Sequence, residues 1–208
     1  MIRAILPALF ALTLAACSGA DRDAAAPPQP AERAVLEKGV ETGVLAPNSS
    51  IRLVSRGDGE ILISAGFFNR NGIAEVGLPS RALWAPDSRR LFINDSASPA
   101  WSAVRVFEIS SSGDAVEHDA VHRAAVAELG RRNGCATVPE ADAATSGMAW
   151  AAEGRQIYVL AEARRQTGDC QWGAVSDILV VADAQGGRLL KVLPGDAARL
   201  EYPGLPWG

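Results

Sequence analysis

Two histidines, three cysteines and scattered aspartates are the side chains of this 208-residue chain that could hold a metal or move a proton. His118 and His122 stand four apart, the spacing at which one helix face offers two imidazoles to zinc. The residues after His118 are Asp-Ala-Val rather than Glu-x-x, and Asp119 reads as a helix cap that leaves His118 ahead of the helix. The pair is read as two surface histidines. Cys17, Cys135 and Cys170 include no Cys-x-x-Cys pair, and cysteines without a placed histidine make a poor zinc set. There is no Gly-x-Ser-x-Gly elbow to expose a nucleophilic serine. Gly57-Asp58-Gly59 and Gly186-Gly187 open no helical pattern, so they read as hairpin turns rather than phosphate cradles. Asp87, Asp95 and Asp183 fall in turns, where aspartate is expected, and form no calcium-loop series. The expectation is of no catalytic residue, no metal and no cofactor.

The elements that must position such residues are mostly strands. Hydrophobic residues make up 48% of the chain, enough to fill a core, and the net charge of −4 argues against a nucleic-acid partner, which needs a clustered cationic face. From Val35 onward, short β-branched or aromatic runs are separated by Gly, Asp, Ser and Pro: Ile51–Val54, Ile61–Ile63, Leu91–Ile93, Val104–Ile109, Ile157–Leu160, Ile178–Val181 and Leu189–Val192. That spacing predicts a mainly β, antiparallel domain over residues 34–208.

The N-terminal segment accounts for one cysteine. Met1–Arg3 is positively charged, and the thirteen residues Ala4–Ala16 are apolar apart from Thr13, against the roughly 20 that span a bilayer. Leu14-Ala15-Ala16-Cys17 resembles a bacterial lipobox. The resemblance implies a signal peptide over 1–16, cleavage after Ala16 and a lipid on Cys17. Ser18 rather than Asp after the cysteine implies, by similarity to enterobacterial sorting, the periplasmic face of the outer membrane. Residues 17–33 are built from Ala, Pro, Asp, Gly and Gln and predict a disordered tether, which spans roughly 20–25 Å as a coil.

An internal repeat organises the rest. Trp84-Ala85-Pro86-Asp87-Ser88-Arg89-Arg90-Leu91-Phe92-Ile93 aligns with Trp150-Ala151-Ala152-Glu153-Gly154-Arg155-Gln156-Ile157-Tyr158-Val159 without a gap. Val104–Val116 aligns with Ile178–Leu190 once the second copy has eight extra loop residues. Each unit reads as four strands, the first ending in Trp. A weaker unit starts at Ile51, with Val54 in the Trp place and Gly57-Asp58-Gly59 as its turn. The Trp-x-Pro-Asp-Ser pattern resembles the blade repeat of TolB-like β-propellers, which implies four-stranded blades in a partial or small propeller; a β-sandwich is the alternative. Between the clear units, 119–146 predicts a helical insertion, with Asp119 as N-cap, Gly130 or Gly134 as stop, and Val121, Ala125 and Leu129 on one face.

If Cys17 takes the lipid, the oxidising envelope that the lipobox implies makes Cys135 and Cys170 a disulfide pair, closing about 35 residues. By the repeat alignment, Trp101 and Trp172 share one rim, where they either form a binding patch or pack over their own repeats. The functional expectation is a membrane-anchored envelope lipoprotein that binds or scaffolds, with an envelope protein or glycan as partner. The alternatives are an envelope hydrolase with a carboxylate-based site between blades and a purely structural protein.

Overall fold

The computed structural model describes residues 33–66, 69–98, 101–139, 142–164, 172 and 175–207, with backbone only at 97, 98 and 101. Among the described residues, thirteen strands form three antiparallel sheets. Sheet I runs β2 (Thr42–Leu45), β3 (Ile51–Ser55), β4 (Glu60–Ala65), β5 (Asn69–Glu75). Sheet II runs β6 (Ser80–Trp84), β7 (Arg90–Ser98), β8 (Trp101–Ile109), β9 (Ala115–His118), and β1 (Ala34–Leu36) pairs with the free edge of β6. Sheet III runs β10 (Ala143–Ala151), β11 (Gln156–Ala163), β12 (Asp177–Asp183), β13 (Leu189–Pro194). Every expected strand run lies in one of these strands, and the chain is mainly β.

The turns between first and second strands show how the sheets are related. In sheet I, Ala46 N–H donates to Ile51 O at 2.9 Å and Ser49 N–H to Ala46 O at 2.8 Å. In sheet II, Ala85 N–H donates to Arg90 O at 2.8 Å and Ser88 N–H to Ala85 O at 3.0 Å. Asn48 and Asp87 each accept from the amide two residues on, at 3.0 and 2.8 Å, the local bond that makes these residue types turn formers. The corresponding residues Ser49, Ser88 and Gly154 are all left-handed, at φ 58°, 60° and 88°. The first repeat therefore begins earlier than its sequence frame. Leu45, not Val54, holds the Trp place, and Ala46-Pro47-Asn48-Ser49 is the counterpart of Ala85-Pro86-Asp87-Ser88. Gly57-Asp58-Gly59 is the next hairpin. The missing Trp hid this unit.

The same contact links each sheet to the one before. Trp84 Nε1 donates to Val44 O of sheet I at 3.2 Å, and Trp150 Nε1 donates to Leu83 O of sheet II at 3.0 Å. Val44 and Leu83 each precede the Trp place of their own sheet, so one bond recurs at both junctions. Two cores follow. Leu53, Ile61 and Ile63 of sheet I meet Trp84, Leu91 and Phe107 of sheet II. Phe92, Val104 and Val106 of sheet II meet Trp150, Ile157 and Val180 of sheet III.

The insertion supplies α1 (Ala120–Arg132), which buries Val121, Ala125 and Leu129 in the second core rather than covering a sheet edge. Asp119 occupies the cap position without a capping bond; its carboxylate pairs with Arg123 at 2.9 Å. The stop is at Gly134, with Cys135 N–H on Gly130 O at 2.9 Å and Gly134 N–H on Arg131 O at 3.2 Å, a Schellman pair. The insertion ends sooner than expected, because β10 already starts at Ala143. A second helix, α2 (Gly195–Glu201), follows β13 and covers the far face of sheet III through Ala198, with Leu205 beside it. At the junction of sheets II and III, the Asn94 side chain pairs with both backbone groups of Gly147, at 2.7 and 3.0 Å. A Cβ on Gly147 would stand 2.8 Å from the Phe92 ring, so only glycine fits there.

Candidate functional site

The far face of sheet I is covered by no element among the described residues. Register places Leu45, Arg52, Ser64 and Arg70 side by side across its four strands. The matching row of sheet II is Trp84, Leu91, Phe107 and Glu117, and that of sheet III is Trp150, Ile157, Ala182 and Leu189. In both of those sheets the first three residues are buried. In sheet I, Leu45 is 48% exposed and the central pair has become Arg and Ser.

The row walls a groove of about 640 Å³, with Val54 in its floor and Glu41 at its rim. That size suits a small-molecule ligand. Neither Arg52 nor Arg70 meets a carboxylate among the described residues, whereas Arg56, Arg90, Arg123 and Arg199 each hold one within 3.0 Å. Gly43 gives the Arg52 stem its path: a Cβ there would stand 3.2 Å from Arg52 Cδ. A second hollow of about 500 Å³ lies beside α1, lined by His122, Val126, Cys135 and Val138.

Other charged groups are committed to structure. Arg105 grips Glu117 with two bonds of 2.7 Å, reaches Glu75 O at 2.7 Å and lies 3.3 Å from buried Asp95, which accepts from Gly77 N–H at 2.8 Å. The hydrogen bonds that Arg105 donates to Glu117 raise the Arg105 pKa. This network pins the connection between sheets I and II. Hydrogen bonds from Arg131, and then Arg132, hold Glu128 down at about 2 against an ordinary 4.5. Burial, with Tyr202 beside it, pushes the Tyr158 phenol up.

The residues singled out in the sequence lie apart from the groove. His118 ends β9, with Nε2 3.5 Å from Glu108 Oε2; His122 on α1 bonds through Nδ1 to Thr145 Oγ1 at 2.8 Å. Both are partly buried rather than exposed on the surface. Thr145 Oγ1 also accepts from Val104 N–H at 3.0 Å, which ties α1 to both β8 and β10. Cys135 is disulfide-bonded; Cys17 and Cys170, its possible partners, lie outside the described residues. Trp172 is partly buried against the core between sheets II and III, and Trp101 starts β8. The side chain of Trp101 lies outside the description. Sequence reasoning missed Arg52 and Arg70. The signal was available in the repeat: aligning Leu45 with Trp84 sets Arg52 on Leu91, a charge in a core position. No protein-family model matches this sequence, and no curated protein matches it.

Proposed function

We propose that the protein is an envelope lipoprotein held to the outer membrane through Cys17, whose three sheets are successive blades of an open, propeller-like arc that binds a partner without catalysis of its own. The recurrent tryptophan bond carries the blade reading: Trp84 to Val44 O and Trp150 to Leu83 O repeat one sheet-to-sheet relation. A sandwich needs one core between two sheets, and a third sheet with its own core favours the arc. Both ends of the stack resist further sheets, one through Arg52 and Ser64 and the other through α2. That is how end units of a repeat array are finished. The disulfide at Cys135 supports an oxidising compartment, and Cys170 is the partner that the tethered, lipidated Cys17 leaves available. Buried Asp95 is spent on Gly77 and Arg105, and Glu128 is shifted down, opposite to the shift a general acid needs. These points favour binding over the hydrolase alternative.

Fractionating cells that express Cys17→Ala tests the address. The variant is expected to leave the membrane fraction, and persistent membrane association would refute the lipid anchor. Intact-mass thiol counting of the mature protein without reductant is expected to find no alkylatable cysteine; two would reject the Cys135–Cys170 bridge.

A further inference from the structure

We infer that the groove on the far face of sheet I is a binding site for a compact ligand bearing two anionic groups, phosphate or carboxylate, held by Arg52 and Arg70 on either side of Ser64. This deepens the binding reading above by naming the site and the chemistry it takes.

The repeat supplies the argument. Leu91 and Phe107 face sheet I from sheet II, and the same two positions of sheet I hold Arg52 and Ser64. Finishing the stack requires only that these positions be polar, and Ser, Thr, Asn or Glu would serve. At the first of them stands Arg52, and Arg70, at the edge position that Glu117 holds in sheet II, completes a pair of arginines two strands apart, about 10 Å at the backbone from the usual strand spacing. Neither has an acidic partner among the described residues, which leaves both guanidiniums in the groove open to an anion. The two arginines stand on opposite sides of the groove, so a ligand that reaches both needs an anionic group at each end. The planar fork of each guanidinium matches two oxygens of a phosphate or carboxylate. Ser64 lies between them in register, and its hydroxyl, which donates to Gly66 O over a long 3.5 Å, can turn to the middle of the ligand. Gly43 leaves the space over which the Arg52 stem lies, so this guanidinium is carried over β2 at one side of the groove, and Arg70 stands on β5 at the other.

Charge complementarity also limits the ligand's size. Two cations in a concave site of about 640 Å³, on a protein that is otherwise acidic, favour a small dianion. A nucleic acid or an anionic bilayer would meet the same guanidiniums together with the repelling remainder of the surface, including Glu41 at the rim.

Titration calorimetry at fixed ionic strength tests this on the mature chain, with fructose 1,6-bisphosphate and pimelate as two-headed probes and fructose 6-phosphate as the one-headed control. One saturable site is expected for at least one two-headed probe, with fructose 6-phosphate about tenfold weaker than the bisphosphate if phosphate is the anion. Arg52→Ala and Arg70→Ala should each weaken binding about tenfold, and Arg188→Ala, an exposed arginine elsewhere, should leave it unchanged. Whichever probe binds on these terms supports the site and identifies its anion. No saturation at millimolar probe, or binding indifferent to both arginine variants, overturns the proposal. A chain that binds the probes yet fractionates as soluble would overturn only the anchor, and a membrane-bound chain with an empty groove only the site.

Discussion

Trp150 shows how one side chain serves as both volume and ruler. Its ring lies 5.5 Å from Phe92 and its Nε1 reaches Leu83 O, so apolar burial draws sheets II and III together and the hydrogen bond sets where they stop. Trp150→Phe keeps much of the first term and deletes the second, leaving a buried carbonyl with one partner fewer. The expected loss is about 1–2 kcal/mol in urea unfolding, and an unchanged midpoint would show that packing alone sets the register. The Arg105 cluster works by a different logic. Asp95 is tolerable inside because a guanidinium and an amide share its charge. Arg52 and Arg70 have no such settlement among the described residues, and that contrast gives the groove its meaning.

At the scale of elements, α1 is held by its buried stripe at one face and by Glu128 near its C-terminus. Glu128 binds Arg131 at 2.7 Å and Arg132 at 2.9 Å. Its pKa falls on folding, so the charged form favours the folded state. That contribution is complete above about 4.5 and is lost as pH falls toward about 2. Thermal melts between pH 5 and 2.5 should show wild type losing more stability than Glu128→Gln, and parallel curves would contradict the assignment. The strands were easier to foresee than the segments around them. Ile61–Ile63 and Ile178–Val181 are apolar enough to be strands wherever they pack. β5 is Asn-Arg-Asn-Gly-Ile-Ala-Glu, polar because it is an edge, and its pairing with β4 rather than its composition makes it a strand. The second helix, with Gly195 at its start and only seven residues, has a weak sequence signal and is held by what it covers.

For the whole molecule, the cores form a line: sheet I shares one with sheet II, and sheet II shares another with sheet III and α1. Such an array loses stability locally. Leu53→Ala, fully buried in the first core, should cost about 2–5 kcal/mol and raise hydrogen exchange in β2–β5 while β11 and β12 stay protected. Uniform loss of protection would show one cooperative unit instead. The described chain starts at Arg33, which donates to Met148 O of sheet III, while the groove lies on the opposite side of the stack, on sheet I.

Sequence alone determined the local facts: which runs are strands, where Asp87 turns the chain, that 120–132 contains a helix, and that two tryptophan units repeat. Each of these depends on neighbours a few residues apart, through side-chain period and local hydrogen bonds. Which face of which sheet stays uncovered was decided only by stacking. Ile51-Arg52-Leu53-Val54 alternates like any half-buried strand, and nothing in it says whether the arginine side faces solvent, a partner sheet or a ligand. Arg52 acquires its role because sheet I is the one sheet with no described neighbour on that side, a fact that rests on contacts some forty and more residues apart along the chain.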